Sequence, residues 1–322
     1  MQSMEKNKGI AVLKKFASEY SIILVAIGMI IIATILQGST FLAPQNFINI
    51  LRNNAVIGII AFGMSFVIIS GNIDLSVSSQ LVAVAALLIT VLNSTQSIVL
   101  GIIVAIAFSC ALSAFVGVVV TKGRVPSFIV TLGMQYIYRS FCMFFMEGGG
   151  FTGTVDAFKS ISNYSIGGWL PMSIVYFFAM FALYFYISKY TKLGRHIYAV
   201  GSNEKATRLS GINTDRIRII AFILLGFAVA VAAITEASRM NSINSTSSGT
   251  AYELNAIAMA VVGGIAMEGG KGSMIGTIFG ILILGIINNI LTLIGVDVYL
   301  VNAFKGAIII FAVLFQRKEK ER

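Results

Sequence analysis

The segment Gly269-Gly270-Lys271-Gly272-Ser273 is the first candidate for chemistry, because Gly-rich turns that carry a Lys and a hydroxyl can bind phosphate. A phosphate-binding loop requires the pattern G-x-x-x-x-G-K-[ST] after a strand. In this chain Ile265 stands at the position of the first Gly, Gly272 replaces the final Ser or Thr, and an apolar stretch precedes the segment. We therefore expect a tight turn here, and neither ATP nor Mg²⁺ bound to it.

Two basic residues, Arg139 and Lys305, lie inside long apolar stretches. Each is six or seven residues from the end of its stretch, which is roughly 10 Å by helical rise. A basic group at mid-bilayer costs about 2.5–3.5 kcal/mol, so both side chains should extend toward the membrane surface or face protein. Structural pairing and lining of an outer vestibule are the two alternative roles.

Polar or glycine residues interrupt the apolar pattern at three further places, where they are candidates to line or gate a pathway. The residues are Gly71, Asn72, Asp74, Gly263, Gly264, Asn288 and Asn289. Asp74 is either a cap of the next helix or part of a gate at the cytoplasmic end of the pathway. The two Asn side chains lie among Ile and Leu, and amides can hydrogen-bond the hydroxyl groups of a solute or tie helices together.

The sequence contains few other residues of the types that catalyse reactions or bind metals. The chain has one histidine, His196, and two cysteines, Cys110 and Cys142, which have no metal-ligand spacing. The apolar stretches also show no clustered Asp, His or Ser of an intramembrane enzyme and no evident proton relay. We expect neither a catalytic nor a metal site.

Composition indicates the elements that must position these residues. Of the 322 residues, 57% are apolar and 11% are charged, whereas soluble chains have about 45–50% and about 25%. So little charge cannot cover a soluble globular surface, and we predict an all-α polytopic membrane protein of about ten spans. The spans are 20–37, 54–70, 76–92, 98–120, 128–146, 172–188, 218–235, 254–267, 274–294 and 299–315. The 54–70 and 254–267 spans are short, which is typical of discontinuous helices along a pathway.

The positive-inside rule orients these spans. With both termini in the cytoplasm, only Arg52, Lys159 and Arg239 among the loop Lys and Arg residues lie outside. The net charge of +10 therefore reflects the basic residues of the cytoplasmic loops and tails, and we expect no nucleic acid partner. One transmembrane domain spans 20–315, between cytoplasmic tails at 1–19 and 316–322. A cleavable signal peptide is the alternative for the N-terminus, although no small-x-small cleavage site follows its apolar run.

The cytoplasmic loop at 189–217 contains the pattern of a short capped helix. The residues that define it are Asn203, Glu204, Lys205, Ala206, Arg208, Leu209 and Gly211. Asn203 can cap the N-terminus, Glu204 suits its positive end, and Gly211 suits a left-handed stop. The pattern alone leaves two interpretations open, a docking element and a simple connector.

Three blocks of this sequence resemble the ribose-type permease subunits of ATP-binding-cassette importers, within the broader group that includes branched-chain amino-acid permeases. The first block contains Leu193-Gly194-Arg195, Ala199-Val200-Gly201-Ser202-Asn203 and Leu209-Ser210-Gly211-Ile212. The second reads Ile69-Ser70-Gly71-Asn72-Ile73-Asp74-Leu75-Ser76-Val77-Ser78, with Asn72 and Ser78 at usual Gly positions. The third contains Tyr252-Glu253-Leu254, Val262-Gly263-Gly264 and the turn at 269–273. The blocks follow the family's order over residues 45–315.

The resemblance implies a function and a set of partners. Residues 203–211 would be the coupling helix that enters a groove of a separate ATPase, with Ala206 and Leu209 on one face. That ATPase would bind ATP and Mg²⁺, so no cofactor is expected in this chain. A second permease, identical or related, would complete the pathway, and an extracellular solute-binding protein would dock outside, where Arg239 and Glu253 lie.

The expected location is the bacterial plasma membrane, and the expected cargo is a monosaccharide or a related small solute. Nucleosides and branched-chain amino acids are alternative cargoes for the same class of importer. A self-contained secondary transporter is the alternative outside that class.

Overall fold

The computed structural model describes residues 21–297 and, after them, 300–301, 303–304, 306–307 and 310. Its helices are α1 (Ser21–Leu42), α2 (Pro44–Ile69), α3 (Val77–Thr95), α4 (Ile98–Lys122), α5 (Ser127–Phe145), α6 (Ser160–Asn163), α7 (Met172–Tyr190), α8 (Lys192–Ser202), α9 (Glu204–Leu209), α10 (Thr214–Met240), α11 (Tyr252–Val262) and α12 (Met274–Leu293). A single turn of 3₁₀ helix covers Asp156–Lys159. The short strands are β1 (Gly150–Thr152), β2 (Ser165–Ile166), β3 (Leu170–Pro171) and β4 (Ser242–Asn244).

Eight of these helices are long and apolar enough to cross a membrane, namely α1 to α5, α7, α10 and α12. Helix α11 has only 11 residues, or roughly 16 Å by helical rise, so the prediction of a short helix before Gly263 is confirmed. The described residues of the predicted 299–315 span are helical, and its other residues lie outside the described part. The all-α polytopic fold is therefore confirmed, and the tails at 1–19 and 316–322 lie outside the described residues.

Helix α2 corrects the prediction for 54–70. It is a continuous helix of 26 residues that begins with Pro44 at a position where a missing N–H costs nothing. Polar residues in its first half, among them Asn46 and Asn53, lowered the local hydropathy and hid the start of the helix. Arg52, predicted in an outer loop, therefore lies within α2.

The core forms around α2 and α10, which pack against each other and against α4, α3 and α7. Ile59, Ile60 and Met64 of α2 are fully buried. Helices α1 and α5 leave most of their apolar surface exposed. Since water would not tolerate such surfaces, these helices face lipid or another subunit.

The helices alternate between two ends of the molecule, which we call the basic end and the opposite end. The basic end contains the loops at 70–76, 123–126, 189–213 and 263–273, and Lys122 pairs there with Asp215 at 3.5 Å. The opposite end contains the segments at 146–171 and 241–251, which are joined by antiparallel pairing of β1 with β4. The predicted cytoplasmic loops thus share one end, and the orientation in the membrane stays a prediction.

Candidate functional site

The predicted short helix in the 189–217 loop is present as α9. The side chain of Asn203 accepts a hydrogen bond from the Ala206 N–H at 3.0 Å, as expected for an N-cap. Gly211 adopts a left-handed conformation with φ of 81° just after the helix. The predicted start and stop of the helix are confirmed, and its docking role stays a prediction.

Ion pairs fix α9 to the start of α10. Glu204 accepts from Arg208 at 2.8 Å and pairs with Arg218 at 2.9 Å. Arg208 also lies 3.5 Å from Asp215. Its guanidinium is therefore engaged within the chain, whereas Leu209 is 90% exposed.

The sequence blocks at 69–78, 193–212 and 263–273 meet at the basic end. The Gly270 N–H donates to the Ile69 carbonyl at 2.8 Å, and the Tyr198 hydroxyl donates to the Gly272 carbonyl at 2.9 Å. A Cβ at Gly201 would clash with that same Ile69 carbonyl. These backbone contacts join the end of α2, the end of α8 and the turn before α12.

The turn at 269–273 is structural, as the sequence predicted. Gly269, Gly270 and Gly272 all have positive φ, and the first two pack directly against the backbone of Gly71 and Ser202. The turn brings α11 and α12 against the end of α2.

The Gly71-Asn72 turn accommodates an Asn where the family usually has a Gly. Gly71 has φ of 84°, whereas Asn72 is not among the residues with positive φ. The Asn72 N–H donates to the Val67 carbonyl at 3.0 Å, and its side chain donates to Ser70 Oγ at 3.1 Å. The substitution therefore leaves the close packing of this turn intact.

Asp74 is fully buried directly before α3. One carboxylate oxygen accepts from the Ser76 N–H at 2.8 Å and from the Ser76 hydroxyl at 2.6 Å. The other oxygen, Oδ2, has no hydrogen-bond partner among the described residues. Burial raises the pKa of Asp74 to about 6, although the Ser76 hydrogen bonds lower it. Asp74 thus shapes the entry to α3, and the gate role stays a prediction.

Gly263 and Gly264 form the sharp end of α11. Gly264 has φ of 87°, and a Cβ at Gly263 would lie 2.7 Å from the Gly276 carbonyl oxygen of α12. Added Cβ atoms at Gly276 and Gly280 would clash with the carbonyl oxygens of Gly263 and Met259, respectively. Gly276 and Gly280, four residues apart on α12, thus let α11 approach closely.

Arg139 pairs with backbone at the opposite end. Its guanidinium donates to the carbonyl oxygens of Ser245 and Ser248 at 2.8 and 3.0 Å. This contact fits the structural alternative, since both acceptors belong to the chain itself. Lys305 lies outside the described residues.

Glu253 lies in the interior, which differs from the outer surface that its docking prediction assumed. The side chain is 8% exposed, and Oε1 accepts from Gln135 of α5 at 3.1 Å. Asp74 and Glu253 are thus two buried carboxylates among the described residues. The difference arises because Glu253 packs against Gln135, a residue far away in the chain. The docking role of Arg239 stays a prediction.

Asn288 and Asn289 have different surroundings. Asn289 exchanges two hydrogen bonds with Asn46 of α2, at 2.8 and 3.1 Å, and so ties α12 to α2. Asn288 instead lines a polar cavity of about 580 Å³ at the opposite end. The cavity is also lined by Asn53, Glu236, Arg239, Asn244 and Tyr252.

Sequence reasoning missed Asn53, Glu236, Asn244 and Tyr252 as members of one site. A signal was present, because Glu236 and Arg239 are three residues apart in the last turn of an apolar helix and share a face. Asn53 and Asn288 are far apart in the chain, so the sequence did not indicate that they line the same cavity.

Comparisons with known proteins agree with the fold and the sequence blocks. The family described as "Branched-chain amino acid transport system / permease component" matches residues 46–313. The ribose import permease protein RbsC of Escherichia coli K12 is 39% identical over 92% of this chain and 93% of its own length. RbsC of Bacillus subtilis is 37% identical over 90% of both chains. The galactose/methyl galactoside import permease protein MglC of Haemophilus influenzae is 34% identical over 97% of both. No solved structure matches.

Proposed function

We propose, because this chain belongs to the family of branched-chain amino acid transport system permease components, that it is the permease subunit of an ATP-driven monosaccharide importer. The family is a transport component and not an enzyme. Its relatives named as ribose and galactose import permeases match this chain over nearly its whole length, which supports a sugar cargo.

The geometry of α9 supports docking of a separate ATPase at the basic end. An almost fully exposed Leu209 on a capped helix is a suitable anchor for a groove on a partner. Ion pairs from Glu204 and Arg208 connect α9 to α10, a helix of 27 residues through the core. Closure of an ATPase pair would push α9 and tilt α10 as a rigid body. ATP and Mg²⁺ would bind to the ATPase.

The remaining partners follow from the same proposal. A second permease, identical or related, would cover part of the exposed apolar surface of α1 and α5. An extracellular solute-binding protein would deliver the sugar at the opposite end, near Arg239. The protein would then need all three partners for transport, unlike a self-contained secondary transporter.

Co-purification tests this function. The tagged chain is extracted in mild detergent from its native host, and associated proteins are identified by mass spectrometry. We expect an ATP-binding-cassette ATPase with the native chain and its loss from Leu209→Glu, because a carboxylate in an apolar groove is costly. Tyr164→Glu, at an exposed residue of the opposite end, is the matched control and should retain the ATPase.

The contrary result is equally clear. If the native chain brings down no ATPase under conditions that preserve known importer complexes, the proposed mechanism is wrong. Retention of the ATPase by Leu209→Glu would instead show that α9 is not the docking element.

A further inference from the structure

We infer that the polar cavity at the opposite end is a binding site for a neutral sugar. Its hydrogen-bonding groups are Asn53 of α2, Asn288 of α12, and Glu236 and Arg239 of α10. This inference rests on the proposed importer function and assigns residues to its cargo. The cavity volume of about 580 Å³ is within the range of small-molecule sites, which is roughly 300–1,000 Å³.

The depth of the cavity suits a transport pathway. Asn53 is nine residues from the start of α2, and Asn288 is five residues from the end of α12. By helical rise these positions are roughly 14 Å and roughly 8 Å below the opposite end of the molecule. Glu236 is four residues from the end of α10. Measured along the helix axes, the polar groups thus lie below the opposite end, in the outer half of a membrane whose apolar core is about 30 Å thick.

The chemistry of the lining matches sugar hydroxyls. An amide has both a donor and an acceptor, as adjacent hydroxyls do, while a carboxylate accepts and a guanidinium donates. Glu236 and Arg239 contribute one negative and one positive charge, so the cavity has no excess charge from this pair to select an ionic cargo. Tyr252, which donates to Glu236 Oε1 at 3.2 Å, adds an aromatic ring beside the polar groups.

Hydrogen bonds hold in place the segment at 244–250, which forms part of the cavity wall. Asn244 Oδ1 accepts from the N–H groups of Thr246 and Ser247 at 2.9 and 3.0 Å, which folds the segment into a tight turn. Arg139 of α5 holds the same segment through the Ser245 and Ser248 carbonyls. A wall that is ordered before the ligand arrives lowers the entropic cost of binding.

Uptake of radiolabelled ribose and galactose by cells that contain the whole importer tests the site. We expect Asn288→Ala and Asn53→Ala each to raise the KM for uptake about tenfold, because each removes paired hydrogen bonds to the sugar. Asn49→Ala is the matched control, since Asn49 lies on α2 one turn before Asn53 but does not line the cavity, and it should leave uptake unchanged. Co-purification of the ATPase with each variant verifies assembly.

The outcomes separate this inference from the proposed function. If the native importer takes up neither sugar, the proposed cargo fails. If it takes them up and both cavity variants behave like Asn49→Ala, the cavity is not the sugar site. If leucine and not unlabelled sugar inhibits uptake, and Asn288→Ala abolishes this inhibition, the ligand of the cavity is a zwitterion and not a sugar. If Asn288→Ala does not assemble, Asn53→Ala on another helix decides by the same measurement.

Discussion

The environment of Asp74 disfavours the charged form of its carboxyl group. Its carboxyl is fully buried, and only one of its oxygens has hydrogen-bond donors among the described residues. Burial therefore raises its pKa from 3.8 to about 6. The group is held by Ser76 at the entry to α3, and an Asn side chain can accept the same two hydrogen bonds.

The raised pKa predicts a pH-dependent stability. Since the folded state binds the proton more tightly than the unfolded state, this contribution is fully present below about pH 4 and is lost as the pH rises through about 6. We expect the melting temperature of the native protein in detergent to fall by a few degrees across that window, relative to Asp74→Asn. If the melting temperatures of the two proteins change equally with pH, Asp74 does not cause the pH dependence.

The α11/α12 pair shows how an element determines packing. Helix α12 brings Gly276 and Gly280 to one face, and the backbone of α11 lies directly against them. Small residues permit this approach because no side chain separates the two backbones. This backbone contact with α12 therefore fixes the position of α11, although α11 is short.

A methyl group at this seam should destabilise the protein. Gly280→Ala would clash with the Met259 carbonyl, and we expect a loss of roughly 1–3 kcal/mol, measured as a lower melting temperature in detergent. Gly133→Ala is the control, because no atom of the described residues lies within 4 Å of a Cβ added at Gly133 of α5. That variant should be neutral or slightly stabilised by the helix propensity of Ala. Equal effects at the two positions would contradict the close packing.

The proposed coupling element and the proposed sugar site lie at opposite ends of the molecule. Three sequence blocks join at the basic end around the Ile69 carbonyl, beside the exposed Leu209. The polar cavity and the β1/β4 pair lie at the opposite end. Helices α2 and α10 run between the two ends and pack together, so a displacement of α9 can reach the cavity wall at Glu236.

The predicted orientation of these ends can be measured by cysteine labelling. In a background with Cys110→Ala and Cys142→Ala, we expect Lys159→Cys to react with an impermeant maleimide in intact spheroplasts. Lys205→Cys should react only after permeabilisation, because the basic end faces the cytoplasm by the positive-inside rule. The reverse labelling pattern would invert the topology.

The sequence by itself determined the features that depend on local pattern. Hydropathy placed α3, α4, α5, α7 and α12 within a few residues, since a membrane span requires a continuous apolar stretch. Asn203 and Gly211 marked the ends of α9, because caps and left-handed stops are chosen by the residue at the position itself.

Only the tertiary structure decided which side chains meet. Neighbours such as Asn288 and Asn289 point about 100° apart around a helix, so one lines a cavity and the other binds Asn46. Glu253 is buried because it packs against Gln135, and Arg52 lies in a helix whose polar first half resembled a loop. These outcomes depend on contacts between residues far apart in the chain, which local hydropathy does not encode.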